Sequence, residues 1–304
     1  MKKPRILVVG SINMDLLLLT SRMPAPGESI LSEEYRFGPG GKGANQAVAC
    51  ALLGGETSFV CKVGDDAFGS QLRRSLIEKG VNAEYVSQNT GKQSGFGVII
   101  LDGDNNRIIT HLASNLDLNK DDVDRAFDRD YDCMITQFEI AEEIVAYACE
   151  KARKKNIPFV VDTGPALDFP LEKLHGAEII SPNETETIAL CGIAPTNEAS
   201  CKEAAEILSK RTGAKHIVLK LGENGAFHYK DGETAFFTPK KVKVADVTAA
   251  GDVFTAAMCV QYFSHGDISK AIKYANIAGA LTVTKAGAQQ SIPTLAEVAE
   301  FSDC

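Results

Sequence analysis

Short runs of consecutive apolar residues alternate along this chain with longer stretches whose apolar positions recur at helical spacing. The runs RILVV (5 to 9), SFVCKV (58 to 63), YDCMIT (131 to 136), IPFVVD (157 to 162), AEIIS (177 to 181) and HIVLKL (216 to 221) predict strands buried on both faces. Between them the spacing predicts helices over 43 to 54, 66 to 79, 141 to 156, 184 to 191 and 198 to 211, and two more over 251 to 265 and 267 to 285 close the core. Such alternation implies an α/β fold: a doubly wound, mostly parallel sheet flanked by helices.

Two regions break the rhythm. Residues 12–37 and 93–112 carry strand-like pieces (LLLLT, SILSEEYRF, SGFGVIILDGDNNRIITHL) with no helix between them, and 103–106 has the composition of a hairpin turn. The two insertions are expected to meet as one small β-sheet lid over the core, its half-polar alternation leaving one face free for a ligand or a partner. No repeat or low-complexity linker divides the chain, so residues 1–304 read as a single domain.

Composition narrows the function. With 304 residues, 44% hydrophobic and 24% charged, the chain can bury a large core without staples. A formal charge of -8 and no long basic block argue against a nucleic-acid or acidic-membrane surface; the run from Lys151 to Lys155 suits the solvated end of a helix. Eight scattered cysteines with no C-x-x-C pair read as small core residues of a reduced, cytoplasmic protein. MKKPRILVVG is read as a first buried strand rather than a signal peptide, and no window reaches the roughly 18 apolar residues of a membrane span. Neither H-E-x-x-H nor G-x-S-x-G occurs.

Several loops could carry chemistry. In TAAGDVF (248 to 254), Ala249, Ala250 and Gly251 leave backbone amides open at the start of a helix, a place that attracts anions, yet Asp252 is itself an anion. The pairing makes sense if the carboxylate takes a proton while the amides hold developing charge; a plain first-turn acid is the alternative. FGPGGKGANQA (37 to 47) satisfies G-x-G-x-x-G at Gly38, Gly40 and Gly43, with Asp65 downstream, so a dinucleotide site has to be weighed; the strand before it is not a buried first strand, and Pro39 sits in the turn. It is not a Walker A loop, because Gly43 follows Lys42. Bare backbone at Gly40 and Gly41, with Asn45 one turn into a helix, would instead admit a polyhydroxylated ligand. GSINMD brings Asn13 and Asp15 to the end of the first strand, where open α/β sheets place ligands. In SPNETE, Asn183 and Glu186 stand one helical turn apart, which fits either a hydrated Mg²⁺ ion or a helix cap. LKLGENGA (219 to 226) is by itself a hairpin signal.

In order, GSINMD, GPGGKGANQA, KVGDDAFG, SPNETE, LKLGENGA, DVTAAGDVF and KAGAQQSIP resemble the ribokinase branch of the PfkB-type carbohydrate kinases, from about residue 5 to 293. The resemblance implies a small-molecule sugar as acceptor, ATP as phosphoryl donor, and Mg²⁺. It implies Asp252 as general base with Ala249, Ala250 and Gly251 as the anion hole. It implies that Asn13, Asp15, Gly41, Lys42, Asn45 and Glu139 hold the sugar, and Asn183, Lys220, Gly222, Gly225, Gly251 and Asn276 the nucleotide. Glu186 would organise Mg²⁺. A monovalent cation, usually K⁺, would be bound by Asp246 and Ser291 and the backbone of Thr248, Thr282, Lys285 and Gly287. A homodimer formed through the lid is expected from the same resemblance, and the unpaired edge of such a sheet gives a physical reason.

Two departures bear on the substrate. The branch usually has Gly-Ala-Asn where this chain has Ala113-Ser114-Asn115, and Asn-Pro-Ala-Pro where it has Asp162-Thr163-Gly164-Pro165. Another pentose, a hexose or a nucleoside therefore stays open as acceptor. A sugar sensor without catalysis would lack the base, which is present; a nicotinamide oxidoreductase would need its glycine loop directly after the first strand, which is absent.

Overall fold

The computed structural model describes residues 3–102 and 105–303. The apolar runs form a nine-stranded sheet. Its strands are β1 (Arg5–Val9), β4 (Glu56–Gly64), β5 (Val86–Asn89), β8 (Cys133–Thr136), β9 (Phe159–Asp162), β10 (Ile179–Ser181), β11 (His216–Lys220), β12 (Ala226–Lys230) and β13 (Glu233–Phe237). In space they run β13-β12-β11-β10-β9-β8-β1-β4-β5. From β11 to β5 all neighbours are parallel, and β12 and β13 add an antiparallel edge.

Strand pleating divides β1 between two cores. Ile6 and Val8 join one cluster with residues of α1 (Lys42–Leu52), α2 (Ala67–Glu78), α7 (Ala250–His265) and α8 (Ile268–Thr282). Leu7 and Val9 join the other, with α3 (Lys120–Ala126), α4 (Glu142–Lys154) and α6 (Glu198–Thr212). Burial on both faces is why these strands are apolar without alternation. Helix α7 is buried over most of its circumference, packed against α1 and α8, and this explains its long apolar sequence.

The two insertions do form a second sheet. It comprises β2 (Asn13–Thr20), β3 (Glu34–Gly40), β6 (Gly95–Asp102) and β7 (Asn105–His111), in the order β3-β2-β6-β7. One of its faces stays open: Tyr35 and Ile109 are 63% and 69% exposed, and Leu16, Leu18, Val98 and Ile100 on the same face are half-buried. Of the turn expected at 103–106, residues 103 and 104 lie outside the described residues.

Some elements differ from the sequence expectation. Residues 29–33 are not strand, so the lid strand begins at Glu34. The last core helix stops at Thr282 rather than 285, because residues 283–287 turn to meet the loop around Asp246. Helices α3 and α9 (Leu295–Asp303) and strands β5 and β13 are short and carry weak periodicity; the strands rest on pairing with their neighbours, and the helices on reciprocal caps by Asn119 with Asp122 and Thr294 with Glu297. α5 (Glu184–Cys191) follows SPN as expected.

Candidate active site

Strand order reverses at β1, whose neighbours β4 and β8 follow it on opposite sides, and the carboxyl ends of the strands around that point form the crevice where such sheets place ligands. Gly41 caps α1 with φ 87°; a methyl group there would lie 2.9 Å from the Asn13 nitrogen and the Ile12 Cα. A methyl on Gly43 would meet the Ser11 nitrogen at 2.6 Å. These two glycines seat the start of α1 on the chain leaving β1. Glu139, just beyond β8, ties the junction together: its Oε2 accepts from the Ser11 hydroxyl at 2.6 Å and from the Lys42 amide at 3.0 Å.

Asp15 stands on β2 and projects across both neighbouring strands. A methyl on Gly40 would lie 1.8 Å from its carboxylate and one on Gly97 2.3 Å. The missing side chain of Gly40, expected to admit a ligand, therefore admits the protein's own acid, and the gap at Gly41 is filled by residues 12 and 13. Burial, with the charges of Glu139 and Asp252 nearby, pushes Asp15 up to about 7. Asn13 accepts a hydrogen bond from the Asn115 side chain at 2.9 Å, and Asn115 also bonds both backbone groups of Ile12.

Asp252 is 5% exposed. Its two oxygens accept from the amides of Asn45 at 2.8 Å and Gln46 at 3.3 Å. Burial pushes it up to about 6, against the pull of Lys42, with Asp162 adding to the rise. Three residues before it, Ala249 takes the left-handed conformation (φ 62°, ψ 0°), a strained choice for a residue with a Cβ, and starts α7 so that its first-turn amides have no acceptor within the helix. The Ala250 amide makes only a long 3.3 Å bond to the Val247 carbonyl.

Two ammonium groups share this space. Burial disfavours the Lys42 cation, but the carboxylates of Asp252, Asp162, Glu139 and Glu186 outweigh it and raise its proton affinity. A methyl on Gly164 would lie 2.7 Å from both the Lys42 Nζ and the Glu186 Oε1, so that glycine lets the two converge. Lys220, at the end of β11, pairs with Asp162 at 2.9 Å, and a methyl on Gly251 would lie 3.8 Å from its Nζ.

Asn183 and Glu186 form the capping box of α5: the Glu186 amide donates to Asn183, and the Glu186 carboxylate accepts from the Asn183 backbone and side chain and, at 3.2 Å, from the Thr163 hydroxyl. The cap reading of SPNETE thus holds, and the carboxylate still has lone pairs to offer beside Lys42. Gly222 and Gly225 shape the β11–β12 turn with φ 52° and 86°. A methyl on Gly225 would strike the Phe237 carbonyl, to which Asn276 also donates at 2.7 Å.

Residues expected around a monovalent cation also meet. Asp246 accepts from the Thr248 amide and hydroxyl at 2.9 and 2.6 Å and from the Gly287 amide at 2.8 Å. The Lys285 amide donates to the Thr282 carbonyl, and the buried Ser291 closes its own turn on Ala288. A carboxylate, hydroxyls and carbonyls from two converging loops are donors that suit a hard cation.

The G-x-G-x-x-G alternative fails on placement. Gly38 and Gly40 belong to the lid strand β3, and Asp65 accepts from the Gly91 amide on the exposed surface. Sequence reasoning gave no role to Gln46, Gln137 or Thr255 and noted Asp162 only as a departure from the usual asparagine; all four are buried within the site. The available signal was an acid at the end of a wholly apolar strand.

Known proteins resemble this chain over nearly its whole length. Residues 3–295 match the family described as pfkB family carbohydrate kinase. A ribokinase from Haemophilus influenzae is 31% identical over 97% of each chain, and a deoxyribokinase from Salmonella typhi is 32% identical over 97% of this chain and 98% of its own. The structure of Arabidopsis thaliana ribokinase complexed with ribose and ATP superposes with a TM-score of 0.89 at 30% identity, covering 99% of each chain.

Proposed function

The chain belongs to the pfkB family of carbohydrate kinases, and from that premise we propose that this ATP-dependent sugar kinase phosphorylates the 5-hydroxyl of D-ribose, giving ribose 5-phosphate and ADP. One observation carries the mechanism: a buried carboxylate whose protein partners are amide donors lies immediately behind the open first turn of a helix. Asp252 accepts the hydroxyl proton as the oxygen attacks the terminal phosphorus. The amides of Ala249, Ala250 and Gly251 receive the charge of the transferring group. Phosphoryl transfer needs little more from a protein than such positioning and charge.

Asp15, Asn13, Gly41, Lys42, Asn45 and Glu139 surround the sugar below the lid. Lys220, Asn183, Gly222, Gly225, Gly251 and Asn276 line the nucleotide side. Glu186 would hold Mg²⁺, which would supply neutralisation of the phosphate charge. Asp246, Ser291 and the backbone of Thr248, Thr282, Lys285 and Gly287 would hold K⁺, which would steady the turn leading into the anion hole. The open apolar face of the lid pairs with that of a second copy; a monomer by gel filtration at micromolar concentration would refute this. Seven described cysteines are free thiols, which supports a reduced, cytoplasmic setting.

Identity does not separate ribose from 2-deoxyribose, since the two relatives stand at 31% and 32%. ADP release from ATP and Mg²⁺ should therefore be measured across D-ribose, 2-deoxyribose, other pentoses, fructose and nucleosides. The highest kcat/KM is expected on ribose; preference for another acceptor would keep the mechanism and replace the substrate.

A further inference from the structure

Beside the base lies a second acid. Asp162 is 1% exposed and stands at the end of β9. Its Oδ2 accepts from three directions: the Lys220 ammonium at 2.9 Å, the Thr255 hydroxyl of α7 at 2.8 Å and the Gln46 amide at 3.1 Å. That Gln46 amide also donates to Asp252, and its orientation is fixed by Gln137, which donates to the Gln46 oxygen at 2.6 Å.

A buried ammonium is tolerated only with a counter-charge. Here the carboxylate that holds it, Asp162, is joined to a second one, Asp252, through the shared Gln46 amide. If Lys220 folded onto Asp252, the base would lose proton affinity and the cation would leave the first turn of α7. The site avoids this by giving Lys220 to Asp162 and giving Asp252 amide donors. An asparagine at this position could not balance the charge of Lys220.

We propose that Asp162 is a positioning residue of the transfer centre: it pins the Lys220 ammonium beside Gly251 at the anion hole and keeps it off the catalytic base, with Gln46 setting the spacing between the two carboxylates. The inference rests on the kinase reading above. The charged groups that act on Asp252 include Lys42, Asp162, Glu139 and Asp15, so removing one negative charge changes its proton affinity in a known direction.

The test compares the full-length protein with Asp162→Asn, Lys220→Met and the double variant, with thermal melting as a check of folding. Asp162→Asn should lower kcat about tenfold with little change in the sugar KM, and shift the acid limb of kcat/KM to lower pH, because Asp252 loses a neighbouring anion and gains a free ammonium. Lys220→Met should lower kcat by about 10²-fold, and the double variant should be no worse, because Asp162 acts through Lys220. An unmoved acid limb with wild-type kcat, or losses that multiply in the double variant, would overturn the proposal. Should Asp162→Asn fail to fold, Asp162→Ser removes the same charge with a smaller side chain; a shift of the limb in the same direction supports the role, and no shift refutes it. Calorimetric binding of a non-hydrolysable ATP analogue with Mg²⁺ separates the two levels. If the wild type phosphorylates no sugar, the kinase reading fails, and Asp162 is judged on this binding alone: about tenfold weaker in Asp162→Asn supports it, unchanged affinity sinks it.

Discussion

The two ends of α7 each hold a buried cluster of titratable groups, and they are built differently. At the carboxyl end, around a polar cavity of about 370 Å³, His216 and His228 share a 2.9 Å bond, Tyr262 donates to Glu178 at 2.6 Å and Lys215 donates to Glu178 at 2.7 Å. Burial depresses both imidazoles to about 4, and His228 lowers His216 further. At the amino end, Asp252 is raised to about 6, the Asn45 Oδ1 and Gln137 Oε1 are buried without a hydrogen-bond partner in the protein, and the chain bares its amides at Ala249 to Gly251. The proton affinities are comparably displaced. What separates the ends is spare capacity: the carboxyl-end cluster spends its polar groups on one another, whereas the amino end keeps donors and acceptors for something else. Displaced proton affinity marks burial, and unspent polar capacity beside it marks a site.

Removing the base is the harshest test of that contrast. Asp252→Asn keeps the shape of the side chain and should lower kcat by about 10²-fold or more while sugar binding, followed by calorimetry, persists. Near-normal turnover would place the chemistry elsewhere. A milder test addresses the turn that feeds the amino end. Asp246→Ala, or exchange of K⁺ for a bulky organic cation, should cost on the order of tenfold in kcat by loosening Ala249 to Gly251, with the Asp252 acid limb unmoved. Full activity without K⁺ would remove the cation from the account.

The sequence disclosed these two ends unequally. Asp252, the alanines before it, Asn45 and Glu186 stand in local patterns whose chemistry is visible without a fold: an acid at a helix start, an amide one turn in, a carboxylate paired with an asparagine. The core strands were equally plain, because burial on both faces leaves continuous apolar runs. Asp162 and Gln137 were hidden, since their meaning comes from strands far apart in the chain that the sheet brings side by side. Gly40 was misread for the same reason: its empty side-chain position faces Asp15 across a strand pair, and no local pattern reports that register. The short strand β5 has no local pattern to report it, whereas α3 and α9 open on capping pairs, Asn119 with Asp122 and Thr294 with Glu297, whose signal is local and was passed over.

The pH profile gives a subtler comparison. Asp252 works as the carboxylate, so kcat should fall as pH drops through about 6, and in proportion to one proton. A limb near the ordinary carboxylate range would mean that burial does not tune the base. Asp15, raised to about 7, titrates in the same region and should weaken sugar affinity rather than kcat, so measuring the KM for sugar and kcat separately resolves the two.

The smallest effect on activity belongs to the carboxyl end. His216→Gln with His228→Gln should leave kcat within about twofold, since that cluster lies at the far end of a helix of 16 residues from the anion hole. Its signature is in stability. Both imidazoles have native affinities near 4 against an ordinary value of 6.5, so the unfolded chain binds their protons first as pH falls. Their contribution is therefore complete above 6.5 and is lost as pH drops towards 4. Thermal melting of the wild type should decline across that window, and the double variant should decline less steeply. Equal slopes would mean that the histidines are already open to water, whereas a loss of kcat would show that the two ends of α7 are coupled through the helix that joins them.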